Sequence, residues 1–471
     1  MPGWLRVVLK YVVLPLALVA LLTAALVVLV VGPWPVYTDS RYREQAYYRE
    51  TLARLSESSA RSSLDPVPGR LQAGWAERDM TPPAGAPLGG YAGRPNEKRN
   101  TGVHDPLFTR AIVLSDGVDT VALVGSDLLM TTLNLAERVW AAVAERTPLN
   151  AHNILFTTSH THCGTGGYMP GLLGEYSAGR YDPALEAQIA TAMAEAILEA
   201  HATMGPARLA HGSVDAPEYI VNRTNVPGVD SALDYLVLAK DTGEQCYGLR
   251  YSAHATVLPE SFLEVSAEYP GVLCRAVAER TGAMAVFLGG AVGAMGPNPP
   301  EAPDPVARME AMGLGLADKL LRAGAPTEFR DRVDLQYAGG PVGMPPMQAR
   351  PFSASWRLSP LFARVVGLPT EGWIQALRLG DLVLMGFPYD TGGALSVAWR
   401  AEAAARGATL WAGSHAIAYG GYLNPGAYYT REPVGYDQYY EWRMMDWFGP
   451  DQAAMYHDLM THLLDRLLPE A

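Results

Sequence analysis

Cysteine is scarce: Cys163, Cys246 and Cys274 are the only three in 471 residues. Three scattered thiols cannot form a disulfide framework or a cysteine-rich zinc site, so any metal here relies on histidine, carboxylate or tyrosine. Clustered positive charge is lacking too. The formal net charge is −12, and no run of Lys and Arg stands out, which excludes a nucleic-acid partner. No internal repeat or low-complexity tract occurs. Charged residues make up 18% and hydrophobic residues 49% of the chain, the balance of a folded protein with room for one large domain or two ordinary ones.

One charge-free stretch is long. Tyr11 to Val31 is an apolar run without a charge and spans a bilayer if helical. The exit Val31-Gly32-Pro33-Trp34-Pro35 lacks a small-x-small cleavage pattern, so an uncleaved anchor is expected rather than a signal peptide. Pro15 sits near the start, where a membrane helix tolerates it, and Trp34 and Tyr37 suit the interface. Arg6 and Lys10 before the span are matched by Arg41, Arg43 and Arg49 after it, so the count of cations does not settle orientation. The short head before a long domain favours a single-pass anchor with the bulk outside the cytoplasm.

Residues 1–10 thus read as a short basic tail and 11–31 as the anchor. Residues 32–70 read as a juxtamembrane helix from Ser40 to about Ser63 with the linker Asp65-Pro66-Val67-Pro68-Gly69, and 71–471 as the folded part. Apolar runs predict strands at 71–79, 110–114, 121–127, 153–158, 207–212, 246–253, 285–288, 332–337, 373–379 and 383–387. Helical periodicity predicts helices at 133–146, 183–202, 271–280, 306–321, 394–405 and 452–467, with Pro183 at a first-turn position. Strands and helices alternate without a regular βαβ period, which predicts a mixed α/β domain with more than one sheet. Asp127, at the end of an apolar strand, either faces a site or caps the next helix.

The strand 153–158 runs out into Ser159-His160-Thr161-His162-Cys163-Gly164-Thr165-Gly166-Gly167-Tyr168. Two histidines two apart on extended backbone project to one side and can reach one ligand. Such a pair marks a metal site or two hydrogen-bonded loop histidines. Cys163 beside His162 raises a cysteine nucleophile, although sequence neighbours on a strand point to opposite faces. Gly164 to Arg180 can form a wall or lid. His104, His152, His201, His211, His415, His457 and His462 have no comparable context and read as ordinary.

Several separated stretches read together: Ala73-Gly74-Trp75-Ala76-Glu77-Arg78-Asp79-Met80-Thr81-Pro82, Leu88-Gly89-Gly90-Tyr91-Ala92, the His160 loop, Asn222-Arg223-Thr224, Ala253-His254-Ala255-Thr256 and Gly293-Ala294-Met295-Gly296-Pro297-Asn298. In this order they resemble the catalytic domain of the neutral/alkaline, non-lysosomal ceramidase family, zinc amidases that cleave the N-acyl bond of ceramide. The resemblance runs from about Leu71 to the C-terminus. It implies that 71–471 is a ceramidase-like catalytic domain, with His160 and His254 as zinc ligands, His162 facing substrate and Arg223 holding the reacting carbonyl. It further implies a third ligand at Asp390, where the family has Glu, and a fourth at Tyr422 in Tyr419-Gly420-Gly421-Tyr422. Tyr440, before Glu441, matches a further active-site tyrosine.

Three departures accompany the match. Gly296 stands where the family has a serine proposed to contact the ceramide head group, Cys163 where it usually has serine, and the small immunoglobulin-like domain has no counterpart.

Two neutral imidazoles and a carboxylate suit Zn²⁺ with a position left for water, which the ion turns into a nucleophile near neutral pH. Asp390 can both bind metal and take a proton. His162, Arg223 and Tyr440 can donate to the developing oxyanion. Without the resemblance, Arg223 reads equally as a surface ion pair and Tyr422 as core or surface. The expectation is a membrane-anchored, zinc-dependent amidohydrolase cleaving ceramide or a related N-acyl lipid to fatty acid and amine. The alternatives are a metal hydrolase for a different acyl amide or ester and a catalytically inactive, membrane-tethered lipid-binding protein. The oligomeric state is open.

Overall fold

The computed structural model describes residues 2–37, 41–59, 62, 68–324, 326, 328–432 and 434–468. Asp65, Pro66 and Val67 of the expected linker lie outside them, as do Ser40 and Ser63 at the ends of the expected juxtamembrane helix. The N-terminal helix α1 (Gly3–Val30) is long and apolar enough to cross a membrane, and none of its residues is buried. It starts earlier than Tyr11. Proline has no N–H for an i→i−4 bond, and a π-helical turn at Leu9–Val13 stands just before Pro15. Helix α2 (Ala46–Ser59) follows.

Eight strands form the larger sheet: β1 (Gln72–Asp79), β2 (Phe108–Ser115), β3 (Thr120–Ser126), β4 (Ile154–Thr158), β5 (Gly205–Asp215), β6 (Ala232–Lys240), β7 (Gln245–Tyr251) and β8 (Met284–Gly289). Their spatial order is β8-β7-β6-β5-β1-β2-β3-β4. The smaller sheet has the order β9 (Leu335–Gly343), β10 (Glu371–Leu379), β11 (Leu382–Gly386) and β12 (Thr409–Gly413). The expected strand at 332–337 is in fact split. Arg332–Val333 pairs with Gly69–Arg70, and β9 starts at Leu335.

Within these two sheets most pairings are antiparallel, but three are parallel: β3 with β4, β7 with β8 and β11 with β12. Parallel neighbours need a crossover, and helices supply it: α3 (Leu133–Ala144), α5 (Glu268–Thr281) and α8 (Gly393–Ala405). The other large helices are α4 (Pro183–Ala202), α6 (Pro305–Arg322) and α9 (Gln452–Leu467), with the short α7 (Pro360–Val366) before β10. Asp182 caps α4 by accepting the Ala184 N–H at 2.9 Å, with Pro183 in the first turn as expected.

Side chains alternate along each strand, and the alternation sorts the core into layers. Ile112, Leu114, Leu123, Leu155, Leu236 and Leu288 of the larger sheet meet Leu335, Leu377, Leu384 and Trp411 of the smaller one. The intervening Ala111, Val113 and Val124 face α3 and α4, and Leu233, Leu249 and Phe287 face α5 and α6. Met385, Leu410 and Ile374 pack on α2, α8 and α9. The result is a four-layer mixed α/β sandwich in which both sheets lie between helices. Each fully buried Leu or Ile contributes roughly 1.5–3 kcal/mol.

The edges of the larger sheet come together. The Gly289 N–H at the end of β8 donates to Thr157 Oγ1 of β4 at 2.7 Å. A Cβ at Gly289 would lie 2.2 Å from the Thr158 carbonyl oxygen, so only glycine fits. This approach carries the loop after β4 to the loop after β7.

Candidate metal centre

Four side chains converge just past the carboxyl ends of the strands of those parallel pairs. His160 follows β4, His254 follows β7, Asp390 follows β11 and His415 follows β12. Strands in a parallel pair point their carboxyl ends the same way, and loops there are the usual place for a ligand site. All four residues are buried.

His160 and His254 are each fixed by the nitrogen that faces away from the centre. His160 Nδ1 lies 2.7 Å from the Leu129 carbonyl oxygen, and His254 Nδ1 lies 2.7 Å from that of Val292. Only a protonated Nδ1 can donate to a carbonyl, which leaves Nε2 of each ring as a lone pair turned inward. His162 Nε2 stands 3.2 Å from His160 Nε2, and His162 Nδ1 is buried without a partner among the described residues. The Gly89-Gly90 turn lies against His162. A Cβ on Gly90 would come within 2.7 Å of the His162 ring, and its φ of +106° is one that glycine favours.

Asp390 receives the Tyr419 hydroxyl at 2.8 Å on Oδ2, while its Oδ1 contacts His415 Nε2 and lies 3.7 Å from His160 Nε2. Burial pushes its carboxyl up, but His160 and His415 outweigh burial and hold it well below the usual range. Burial lowers His160 to about 3, helped by His415 and opposed by Asp390. Burial likewise holds His162 and His254 well below the ordinary histidine value. The site is therefore one carboxylate among neutral imidazoles.

Two sets of donors gather within one ion's reach: His160, His162 and His254, and His160, Asp390 and His415. His160 belongs to both. Facing nitrogen lone pairs backed by carbonyl-fixed rings, with a carboxylate opposite, fit a small N/O-preferring cation such as Zn²⁺.

Tyr422 pairs in register with Asp390, and its hydroxyl lies 3.3 Å from His254 Nε2 while accepting from Arg223 Nη2 at 2.8 Å. Arg223 Nε donates to Glu441 at 2.6 Å. Glu441 is wholly buried and pushed up to about 7 by burial, with Arg223 pulling the other way. Tyr440 stands edge-on to Tyr422, ring centroids 6.0 Å apart. Of the seven residues singled out in the sequence, six meet around the centre, and Tyr440 adjoins it through Tyr422.

Other expectations change. His415 is not an ordinary histidine. It follows a short strand as Ser414-His415, just as Ser159-His160 does, and both histidines have φ near +57°; that repeated Ser-His after an apolar run is the signal that could have found it. Tyr419 and Glu441, neither assigned from sequence, hold Asp390 and Arg223. Asp127 neither faces the centre nor caps α3. Its carboxylate accepts the Phe108 N–H at 2.9 Å and lies 3.4 Å from Arg110 Nη1, and Thr132 occupies the N-cap. Cys163 is buried, and burial raises its thiol to about 12, which removes it as a nucleophile near neutral pH. Leu172–Ala178, within the expected wall, is a short helix.

Residues 71–228 match the sequence model of the family described as neutral/alkaline non-lysosomal ceramidase, N-terminal. A neutral ceramidase of Mycobacterium tuberculosis (strain ATCC 25618 / H37Rv) is 32% identical over 127 residues, which span 25% of this chain and 20% of that protein. Among solved structures, neutral ceramidase from Pseudomonas aeruginosa superposes with a TM-score of 0.72 at 20% identity, covering 86% of this chain and 76% of its own. A ceramidase complexed with C2 gives the same score and identity, with 86% and 77% covered. The chain carries the sequence signature of the neutral/alkaline, non-lysosomal ceramidase family in residues 71–228 and the fold of solved ceramidases over most of its length.

Proposed function

We propose that this chain is a metal-dependent amidohydrolase that cleaves the N-acyl bond of ceramide or a related N-acyl lipid, releasing fatty acid and amine. The observation that carries the reading is the inward-facing pair His160 and His254, each fixed by a backbone carbonyl, opposite the buried Asp390. His160, His254, Asp390 and Tyr422 would hold Zn²⁺. When bound, such an ion supplies a Lewis acid and a water of lowered pKa.

The residues around it divide the remaining work. Asp390, ionised and facing the centre, accepts the proton that the attacking water gives up. Arg223 has Nε and Nη2 engaged and, among the described residues, no partner at Nη1, so it donates to the carbonyl oxygen as negative charge builds there, with His162 and Tyr440 sharing the task. Glu441 keeps the guanidinium aimed. The α1 helix anchors the chain as a single pass, with the catalytic part outside the cytoplasm, and keeps the site beside a substrate that partitions into lipid.

Gly296 favours a second reading with the same chemistry on another acyl amide or ester, since a head-group contact expected of serine is lost. The deciding experiment measures fatty-acid release from ceramide, an N-acyl amino acid and an acyl ester by the full chain in detergent. Metal is stripped and zinc restored, with His160→Ala as control. Release from ceramide that needs both zinc and His160 supports the first reading. Release from another member alone moves the substrate, and zinc binding without release from any refutes catalysis.

A further inference from the structure

The end of α1 is not a loose tether. The Leu29 and Val31 carbonyls accept from Ser359, through its hydroxyl at 2.7 Å and its N–H at 3.0 Å. Trp34 and Pro35 pair antiparallel with Arg357 and Trp356, and Arg357 Nε donates to the Pro35 carbonyl at 2.9 Å. The folded domain is therefore stitched to the last turn of the helix. Wherever that turn sits in a bilayer, the segment 352–365 sits at the same depth.

That segment leaves several apolar side chains uncovered. Phe352, Trp356 and Val365 are exposed, Val365 by 58%, and α7 packs beside the helix exit. Single exposed hydrophobics need no explanation, but a group beside a membrane-length helix does. The surface continues to a second exposed turn, because the Tyr439 hydroxyl donates to the Pro351 carbonyl at 2.8 Å. There Val434 is 79% and Tyr436 77% exposed. Tyr436 stacks on Tyr440 at 6.1 Å, and Tyr440 abuts Tyr422 at the metal centre.

We propose that the surface made by residues 352–365 and 434–444 is seated in the bilayer interface. The catalytic domain is held face-down, and a lipid substrate reaches the centre along the Tyr436–Tyr440 wall without crossing bulk water. This rests on α1 being a membrane anchor. The occupant is the lipid surface itself, since the helix end is bonded to the patch and side chains of this kind bury a few ångströms into the headgroup boundary.

The test places nitroxide labels on the full chain in phosphatidylcholine nanodiscs. The native cysteines are all buried, so labelling is directed by Val365→Cys, Val434→Cys, Leu22→Cys in the anchor and Val118→Cys. Val118 is exposed in the β2–β3 turn, at the opposite end of β3 from the metal centre. Relaxation by oxygen is compared with relaxation by a water-soluble nickel chelate. Seating predicts that positions 365, 434 and 22 favour oxygen, the reverse of 118. If 22 favours oxygen while 365 and 434 behave like 118, the anchor stands and the seating is wrong. If 22 also behaves like 118, the anchor reading fails and the seating falls with it.

Discussion

The imidazoles of His160 and His415 lie parallel, 4° apart in plane and 4.0 Å between centroids, and both face the Asp390 carboxylate. Asp is one methylene shorter than the Glu that the resemblance leads one to expect, and His415 Nε2 already contacts its Oδ1. His415 Nδ1 is buried with no partner among the described residues. His415→Ala is expected to weaken zinc binding about 10- to 100-fold, the usual cost of losing a group that ligates or orients a ligand. Competition with a chromophoric chelator measures this without recourse to turnover. Asp390→Glu alone is expected to crowd His415. The double variant is then expected to bind zinc more tightly than the two single losses combined would allow, by more than about 0.5 kcal/mol. Strictly additive losses would show that the two side chains do not share one space.

Gly296 offers a gain-of-function test. A Cβ there meets Val221 at 3.6 Å and Arg223 at 3.8 Å, which is ordinary contact. Gly296→Ser is therefore expected to fold with a stability change of no more than about 1 kcal/mol. If the missing hydroxyl is what a ceramide head group needs, kcat/KM for ceramide rises about three- to tenfold, the worth of one hydrogen bond. The value for an acyl amide without that head group stays put. A uniform change across substrates would count against a head-group role.

Glu268 governs a pH dependence far simpler than that of the metal centre. It is wholly buried, and burial raises its carboxyl to about 7, with the Leu258 and Tyr269 N–H groups opposing. The folded state then holds a proton between pH 4.5 and 7 that the unfolded chain has released, so stability falls as pH rises through this window and is level above it. Glu268→Gln cannot ionise. The variant is expected to be weakest relative to the parent near pH 4.5, because it loses an acceptor, and to recover roughly 1–3 kcal/mol against it by pH 7.5. Thermal unfolding at the two pH values checks this; a gap in Tm that ignores pH would refute it.

Much of this architecture could be read from residue order because the strongest signals are local. Long periodic segments such as α4 and α9, and apolar runs such as β2 and β11, declare themselves. β6 did not, because Asp234 breaks its apolar run. In the fold that carboxylate is buried and takes Arg250 Nη1 at 2.8 Å with Arg400 beside it, a compensation no window of sequence displays. β12 did not either, because its run Thr409-Leu410-Trp411-Ala412-Gly413 holds neither Val nor Ile. The centre was legible where motifs carry it, at His160, His162, His254 and Arg223. It was illegible where chemistry depends on convergence, as at His415, Tyr419 and Glu441, whose partners lie 25 to 218 residues away.

Those separations carry a consequence of their own. His160 and His254 hang from the larger sheet, whereas Asp390 and His415 hang from the smaller one, and between the sheets runs the apolar seam of Leu155, Leu288, Leu384 and Trp411. An ion held by His160, His254, Asp390 and Tyr422 would act as a rivet across that seam, closing long loops in the unfolded chain. Its affinity would then report how firmly the two halves of the sandwich are clasped, and loosening the seam far from the ion would register as lost metal before it registered as lost fold.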